Sequence, residues 1–493
     1  MSPRQADGRR HVPDGVILAL ACVAQFMVVL DVSIVNVALP SVGRDLHYSP
    51  SGLQWVVNAY VLTFAGFLLL GGRAADLFGR RRAYLFGLGL FTLASLAGGL
   101  ARDPAWLTTA RAVQGVGGAV LSPASLTIIV TTFTDQQRRT RAIGTWSAVA
   151  GAGGAAGAIL GGVLTAELSW RWVLFVNLPI GIITLAIAAA YLTELRHPAG
   201  RARLDVGGAV TITAGLGALI YAIIETSTHP WLSAATLSAL AVAAVLLAAF
   251  AVIEHRLASQ PLVPFGLLRS RSVAGANLVM LPVGAAFFSM WYFLSLYFQD
   301  VLGYSALRAG MAFIPMALAV IVGAQASPRL LPRVGRRLVL ACAMLLAAGG
   351  FGWLALVPAQ GGYLAHVLVP GCIVALALGL LFTPLASAAT AGVPNSQAGL
   401  ASGVLNTSRQ VGGSIGLAAL ATVAVDRTRT YLAAGHGAAS SLAAGYDRAF
   451  IIAAGLCLAG LLATLVIPSG TAAAPGPGPG PQTVGSDDAS VQA

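Results

Sequence analysis

The sequence contains no lysine, and only 9% of its residues are charged. A soluble protein usually carries about 25% charged residues, so the composition argues against a soluble globular protein. Without lysine the chain cannot form the Gly-x-x-x-x-Gly-Lys-[Ser/Thr] loop that cradles nucleotide phosphates. We therefore do not expect the chain itself to be an ATPase.

Cysteine and histidine are also scarce. The four cysteines all lie inside apolar runs, and the seven histidines are scattered along the chain. No spacing typical of metal ligands occurs, so we expect no metal site and no bound cofactor. An enzyme embedded in the membrane remains the alternative from a different functional class, but it would need clustered carboxylate, histidine or metal-binding groups.

Long apolar runs dominate what is present, and 57% of the residues are hydrophobic. A bilayer crossing takes about 20 apolar residues in a helix, and within such runs helices satisfy the backbone polar groups. The sequence predicts an all-α polytopic membrane protein with about fourteen transmembrane helices, the lipid bilayer being its surroundings. The 29 arginines flank these runs without interleaved aromatic residues, so no nucleic-acid partner is expected.

The positions of the arginines predict the topology, because positively charged loops stay in the cytoplasm. Most of them fall in alternate loops and in the N-terminal tail. Together with the bias towards Ala, Gly and Arg, this predicts a multi-pass protein of a bacterial cell membrane with both termini cytoplasmic. The Pro/Gly-rich C-terminal end cannot bury a core and is expected to be disordered.

A weak internal repeat divides the chain. Gly335-Arg336-Arg337 follows the tenth apolar run as Gly79-Arg80-Arg81 follows the second. Parallel repeats are a recurrent design of transporters, which bind substrate between the two halves. The predicted division begins with a cytoplasmic N-tail (1–14) and a six-helix bundle (15–195). An inserted two-helix hairpin with basic flanks (196–256), a second six-helix bundle (257–467) and a cytoplasmic C-tail (468–493) follow.

The loop after the second run contains one acid among four arginines. Its glycines allow two helices to turn back within a few residues. The residues are Gly72, Asp76, Gly79, Arg80 and Arg82. Their spacing resembles the signature between helices two and three of the major facilitator superfamily. The resemblance implies a cytoplasmic latch, in which Asp76 pairs with basic groups and a helix end of the other half.

Asp31 lies deep in the first apolar run, and Arg111 with Gln114 lies in the fourth. An ionisable side chain at membrane depth costs about 2.5–3.5 kcal/mol on insertion scales, so it is usually paired or functional. Burial disfavours a charged carboxyl and a nearby cation favours it, so moving Arg111 could switch a proton on Asp31. A static ion pair between two helices is the alternative. Arg111-x-x-Gln114 also resembles the fourth-span motif that the superfamily uses in proton coupling.

The fifth run carries small residues at helical spacing, which let helices approach closely. Gly153, Gly157, Gly161 and Gly162 resemble the antiporter motif of the same superfamily, with Ala158 in the place of its proline. Plain helix packing explains part of this pattern. The stretches Leu30–Pro40, Trp170–Gly181 and Tyr297–Tyr304 resemble the fourteen-span drug:proton antiporters of the EmrB/QacA type, which implies a 6+2+6 arrangement of helices.

The resemblance implies a proton-coupled antiporter that exports lipophilic small molecules, neutral or cationic, by alternating access. Its partners would be that substrate and protons, and it would act as a monomer, driven by the proton gradient instead of a cofactor. Proton-coupled import of a small solute is the alternative within transport. Predicted cavity residues, for which core packing or local pairing is the competing interpretation, are Asn36, Phe287, Trp291, Tyr292, Asn406 and Arg409.

Overall fold

The computed structural model describes residues 13–192, 205–226, 229–258, 261–263, 265–357, 362–394 and 397–468. Nearly all of both predicted tails lies outside these ranges. Within them, every regular element is helical. The α-helices in chain order are α1 (Asp14–Asp45), α2 (Trp55–Phe78), α3 (Arg80–Gly99), α4 (Pro104–Thr132), α5 (Gln136–Glu167), α6 (Trp172–Phe175), α7 (Asn177–Tyr191), α8 (Val206–Glu225), α9 (Ala234–Val252), α10 (Phe265–Leu268), α11 (Arg271–Leu296), α12 (Ala306–Ala312), α13 (Ile314–Val334), α14 (Arg336–Leu354), α15 (Val369–Thr390), α16 (Ala398–Ala433) and α17 (Ala438–Ala463).

Eleven of the helical runs in the described residues are long and apolar enough to cross a membrane. The chain is therefore a multi-pass membrane protein. Three other helices, α3, α5 and α16, are 20, 32 and 36 residues long and pack within the same bundle. Arginines at the starts of α3 and α5 and a polar stretch in α16 lower their hydropathy.

Two sets of helices pack mainly among themselves. In the first set, α1 packs along α5, while α2 and α3 both pack along α4. In the second set, α11 packs along α16 and α17, and α15 packs along α13 and α14. The two sets meet where α2 contacts α16, α5 contacts α12 and α13, and α1 contacts α11. We call the end of the bundle at the α1–α2 loop the Asp45 end, and the opposite end, at the α2–α3 turn, the Gly79 end.

Two glycines at corresponding turns share the same unusual backbone conformation. Gly79 joins α2 to α3 with φ of +99°, and Gly335 joins α13 to α14 with φ of +79°. A side chain is strained at such angles, so glycine is the residue suited to both turns. The repeat seen in the sequence therefore corresponds to a repeated turn in the structure.

The hairpin of α8 and α9 packs where the two sets meet. Its first helix, α8, contacts both α2 and α16, and Leu62, Leu216, Ile220 and Ala418 form one buried cluster there. The hydroxyl of Thr422 on α16 also donates to the backbone oxygen of Ile223, at 3.3 Å. The hairpin thus bridges the two sets from one side.

Candidate functional site

A fully buried carboxylate lies near the middle of α1. Asp31 is 0% exposed. Its Oδ2 accepts a hydrogen bond from Arg111 at 2.5 Å, and its Oδ1 accepts from Gln114 at 2.7 Å and from Asn177 at 3.2 Å. Three donors from two other helices, α4 and α7, therefore contact the two carboxylate oxygens.

Arg111, on α4, is the only cation in contact with Asp31 in the described part of the chain. Its Nε donates to the backbone oxygen of Val56 at 3.1 Å, and its Nη1 also donates to Gln114 at 2.7 Å. The guanidinium carbon lies 4.4 Å from the centre of the Tyr60 ring, within the range of a cation–π interaction. The guanidinium is thus held by a carboxylate, an amide, a carbonyl and an aromatic face.

Two neutral side chains complete this centre. Ser95 on α3 accepts hydrogen bonds from Gln114 at 2.7 Å and from Asn177 at 3.2 Å, so it joins the two amides that hold Asp31. With Val56 and Tyr60 on α2, the network links α1, α2, α3, α4 and α7. We call Asp31, Ser95, Arg111, Gln114 and Asn177 the polar centre.

The sequence indicated Asp31, Arg111 and Gln114 but not Ser95 or Asn177. Serine is common in apolar helices and gives little signal. Asn177 lies in the stretch Trp170–Gly181, which the sequence indicated only as a region of resemblance, and it is 0% exposed. Its position among Val176, Leu178 and Pro179 is the signal that could have identified it, because an amide inside an apolar run needs a buried partner.

The glycines of α5 bring this helix close to α1 beside the polar centre. A Cβ at Gly157 would lie 2.7 Å from the Cβ of Ser33 and 2.8 Å from the backbone oxygen of Leu30, and one at Gly161 would lie 2.8 Å from the oxygen of Ile34. Gly153 faces Phe26 in the same way, at 3.0 Å. Three of the four motif glycines therefore position α1, while Gly162 has a different neighbour.

At the Asp45 end, contacts join the two sets directly. A Cβ at Gly162 would lie 2.7 Å from the backbone oxygen of Ala306, at the start of α12. Ser295 of α11 donates to the backbone oxygen of Asn36 at 2.5 Å, and Gln299 donates to that of Val37 at 2.9 Å. These contacts close the bundle at this end.

The stretch Trp170–Gly181, whose tryptophans suit the aromatic belt at a membrane interface, contributes to the same end. Trp170 is only 4% exposed, and its Nε1 donates to Asp45 at 2.8 Å. Arg171 forms an ion pair with Asp45 at 2.6 Å. Trp172, in contrast, is 46% exposed, as expected for a belt residue.

At the Gly79 end, the predicted latch is only partly described. The side chain of Asp76 lies outside the described part of the structure, so its pairing stays a prediction. Gly71, not Gly72, is the glycine in close contact with α4, at the backbone of Ala119. One nitrogen of Arg80 is buried without a hydrogen-bond partner, and Arg82 does form an interaction.

The residues predicted to line a cavity differ in exposure. Phe287 is 3% exposed and packs edge-on against Phe351, and Tyr292 is 2% exposed beside Phe293, so both are part of the core in this conformation. Asn36, Trp291, Asn406 and Arg409 keep partial exposure. Phe288, which belongs to the same aromatic group in the sequence as Phe287, Trp291 and Tyr292, is half-buried and contacts α16 at Gly413.

A buried carboxylate–guanidinium pair inside a bundle of membrane-crossing helices is costly and marks the polar centre as the candidate functional site. No group of three or more metal-binding side chains occurs among the described residues. The sequence from 21 to 417 matches the Major Facilitator Superfamily. The chain belongs to this family of membrane transporters, and it is not an enzyme.

Relatives and solved structures agree with this assignment. The chain is 49% identical to the cephamycin export protein CmcT of Amycolatopsis lactamdurans, over 82% of this chain and 84% of that protein. It is 41% identical to the puromycin resistance protein pur8 of Streptomyces alboniger, over 86% and 84%. A bacterial homologue of the lysosomal transporter Spinster shares the fold with a TM-score of 0.64 at 16% identity, covering 92% of this chain and 97% of that one.

Proposed function

We propose that this protein is a proton-coupled antiporter of the fourteen-span drug:proton type, which exports lipophilic small molecules, including antibiotics, from a bacterial cell. The observation that carries the proposal is the Asp31 carboxylate, which is buried at the middle of α1 and bound to Arg111. Arginine stays charged at any relevant pH. Asp31 is therefore the member of the pair that can gain and lose a proton.

The geometry of the polar centre supports a coupling step. In this conformation three hydrogen-bond donors, one of them the Arg111 cation, contact the carboxylate oxygens of Asp31. A displacement of α4 relative to α1 would separate Arg111 from Asp31, leave the carboxylate desolvated and favour its protonation. The return movement would expel the proton as Arg111 re-forms the pair.

Alternating access is supported by the position of the contacts between the two helix sets. By the distribution of arginines, the Asp45 end faces outward and both termini are cytoplasmic. Gly162 against Ala306, and Ser295 against Asn36, close that outer end. We assign this conformation to an inward-facing state and expect those contacts to open when substrate is released outside. Asp76 would then help to close the cytoplasmic side.

The helix packing supports a 6+2+6 arrangement. The eleven apolar spans, together with α3, α5 and α16, would give fourteen crossings. The hairpin of α8 and α9 would be the inserted pair, because it packs against α2 and α16 from outside the two sets. Both termini then lie on one side of the cell membrane, and no second copy of the chain is required.

The substrate class is supported by relatives whose names describe export of cephamycin or resistance to puromycin. The partly exposed aromatic residues Phe288 and Trp291 suit lipophilic compounds. Because the chain offers a buried carboxylate and no described metal cluster, the proton gradient is the proposed source of energy.

The test is transport by the purified protein in proteoliposomes loaded with puromycin, with a pH gradient imposed across the membrane. We expect puromycin to leave its compartment when the compartment on the other side of the membrane is acidified. A protonophore should abolish this transport. Asp31→Asn should lose the pH-driven component. Asp45→Asn, which removes the carboxylate of a partly exposed ion pair, should keep it. Movement of drug in the same direction as the proton would indicate import and contradict the proposal.

A further inference from the structure

Arg409 is a second cation inside the bundle. Unlike Arg111, which is paired with Asp31, it has no carboxylate partner among the described residues. Its Nη2 donates to Asn406, one turn earlier on α16, at 2.8 Å. In the part of the chain that the structure describes, the guanidinium makes no other hydrogen bond and has no carboxylate within ion-pair distance. A guanidinium has five N–H donors, so most of its hydrogen-bonding capacity is unused.

The unused donors remain accessible. Protein surrounds Arg409, yet the side chain keeps partial exposure. None of its nitrogens is among the buried atoms that lack a hydrogen-bond partner. The guanidinium therefore lies deep in the protein but on a surface that a small molecule can reach.

The exposure of the residues along α16 shows from which end of the bundle the Arg409 guanidinium is reached. Residues at alternating steps of three and four lie on one face of a helix. On the face of Arg409, Gly399 and Ser402 are exposed, Asn406 and Arg409 are half-buried, and Gly413 is buried. Exposure thus falls steadily from the Gly79 end inwards. Since Ser402, Asn406 and Arg409 would be unfavourable against lipid, this face borders a polar path and not the bilayer.

The surroundings of Arg409 are rigid and partly aromatic. Ser408 donates to Asn277 of α11 at 2.8 Å, and Gly284 of α11 contacts the backbone oxygen of Arg409. One turn further along the same face of α16, a Cβ at Gly413 would lie 2.8 Å from the ring of Phe288. A fixed cation therefore lies at the inner end of a polar path, and the ring of a half-buried phenylalanine lies one helical turn further along the same face.

We propose that Arg409, with Asn406 and Phe288, forms a binding site for the carboxylate of an aromatic organic anion. This inference rests on the proposed function, because it names the substrate class of the proposed cavity. Arginine binds a carboxylate through two parallel hydrogen bonds, and Phe288 would contact the aromatic body. Asp31 and Arg111 pair with each other, whereas Arg409 has no carboxylate within ion-pair distance among the described residues, which favours an anion at this position.

Calorimetric titration of the purified full-length protein tests this inference without a proton gradient. The probes are benzoate, naphthalene-2-carboxylate and anthracene-9-carboxylate, each compared with its neutral carboxamide at pH 8. We expect the wild type to bind at least one carboxylate about tenfold or more tightly than the matching amide. Arg409→Gln should abolish that preference, whereas Arg409→Lys should retain much of it.

A matched control separates this site from folding. Arg427→Gln removes an exposed arginine of the same helix, whose guanidinium lies over Tyr431, and it should bind as the wild type does. Equal binding of acid and amide, no binding of any acid, or unchanged preference in a folded Arg409→Gln variant would each overturn the inference. Failure of pH-driven transport with carboxylate binding intact would count against proton coupling alone.

Discussion

Arg111 donates to Asp31 across 2.5 Å, and the two side chains are 2% and 0% exposed. The pair joins α4 to α1 and is itself held by Gln114, which donates to Asp31 and accepts from Arg111. Replacing only one residue of such a buried pair strongly destabilises a protein, because the remaining charge is then buried without a partner.

Removal of one partner should therefore destabilise the protein more than removal of both. Arg111→Gln leaves Asp31 buried without a cation, and we expect it to lower the free energy of unfolding by about 3–5 kcal/mol. The double variant Asp31→Asn with Arg111→Gln should recover a large part of that loss, because amides can hydrogen-bond to each other. Thermal unfolding in detergent measures both. If the double variant loses as much stability as the two single variants added together, the pair is not coupled.

Gly157 and Gly154 offer a matched comparison on α5. Alanine at 157 would place its Cβ 2.7 Å from the Cβ of Ser33, whereas at 154 the nearest contact is a methyl group of Val29 at 3.9 Å. Overpacking costs about 1–3 kcal/mol, so Gly157→Ala should lower the unfolding temperature and displace α1 at the polar centre. Gly154→Ala should do neither. Equal behaviour of the two variants in unfolding and transport assays would contradict the close α1–α5 packing.

Gly162 should affect the conformational equilibrium more than the stability. Alanine there would lie 2.7 Å from the backbone oxygen of Ala306, a contact that would be lost when the Asp45 end opens in the proposed cycle. We expect Gly162→Ala to populate the state open at that end. Electron-electron resonance between spin labels at Leu168 and Met311, both exposed, in a cysteine-free background would measure the distance. An unchanged distance distribution would argue against the closing role of this glycine.

The position of the hairpin can be tested by cross-linking. A Cβ at Gly66 of α2 would lie 3.0 Å from the Cβ of Thr213 on α8, near the separation that a disulfide spans. Gly66→Cys with Thr213→Cys should therefore cross-link under mild oxidation in a cysteine-free background. Gly89→Cys with Thr213→Cys should not, because nothing lies within 4 Å of a Cβ at Gly89. The reverse pattern would mean that α8 does not pack on α2.

Much of this arrangement is visible in the sequence because the bilayer makes polar residues conspicuous. Asp31 and Arg111 each interrupt an apolar run, and an ionisable group at that depth calls for a partner. Their contact in the structure follows from this rule. The turn glycines, Gly79 and Gly335, are likewise marked by the arginines that follow them, and both have positive φ.

The features that the sequence did not predict depend on which face of each helix packs against a neighbouring helix. The sequence offers Phe287, Phe288, Trp291 and Tyr292 as one aromatic group, but the packing of α11 buries Phe287 and Tyr292 and leaves Phe288 and Trp291 partly exposed. In the same way, Gly71 and not Gly72 lies against the backbone of α4. Adjacent residues on a helix point in different directions, so composition alone cannot choose between them.

The hairpin also makes the protein asymmetric towards the lipid that surrounds it. A two-set transporter has two lateral clefts, one at α2 and α16 and the other at α5 and α13. Since α8 covers the first, with Leu216 and Ile220 buried between it and its neighbours, a solute dissolved in the bilayer would meet the hairpin and not the seam on that side. In the proposed transport cycle, direct entry from the membrane would therefore take place on the α5–α13 side.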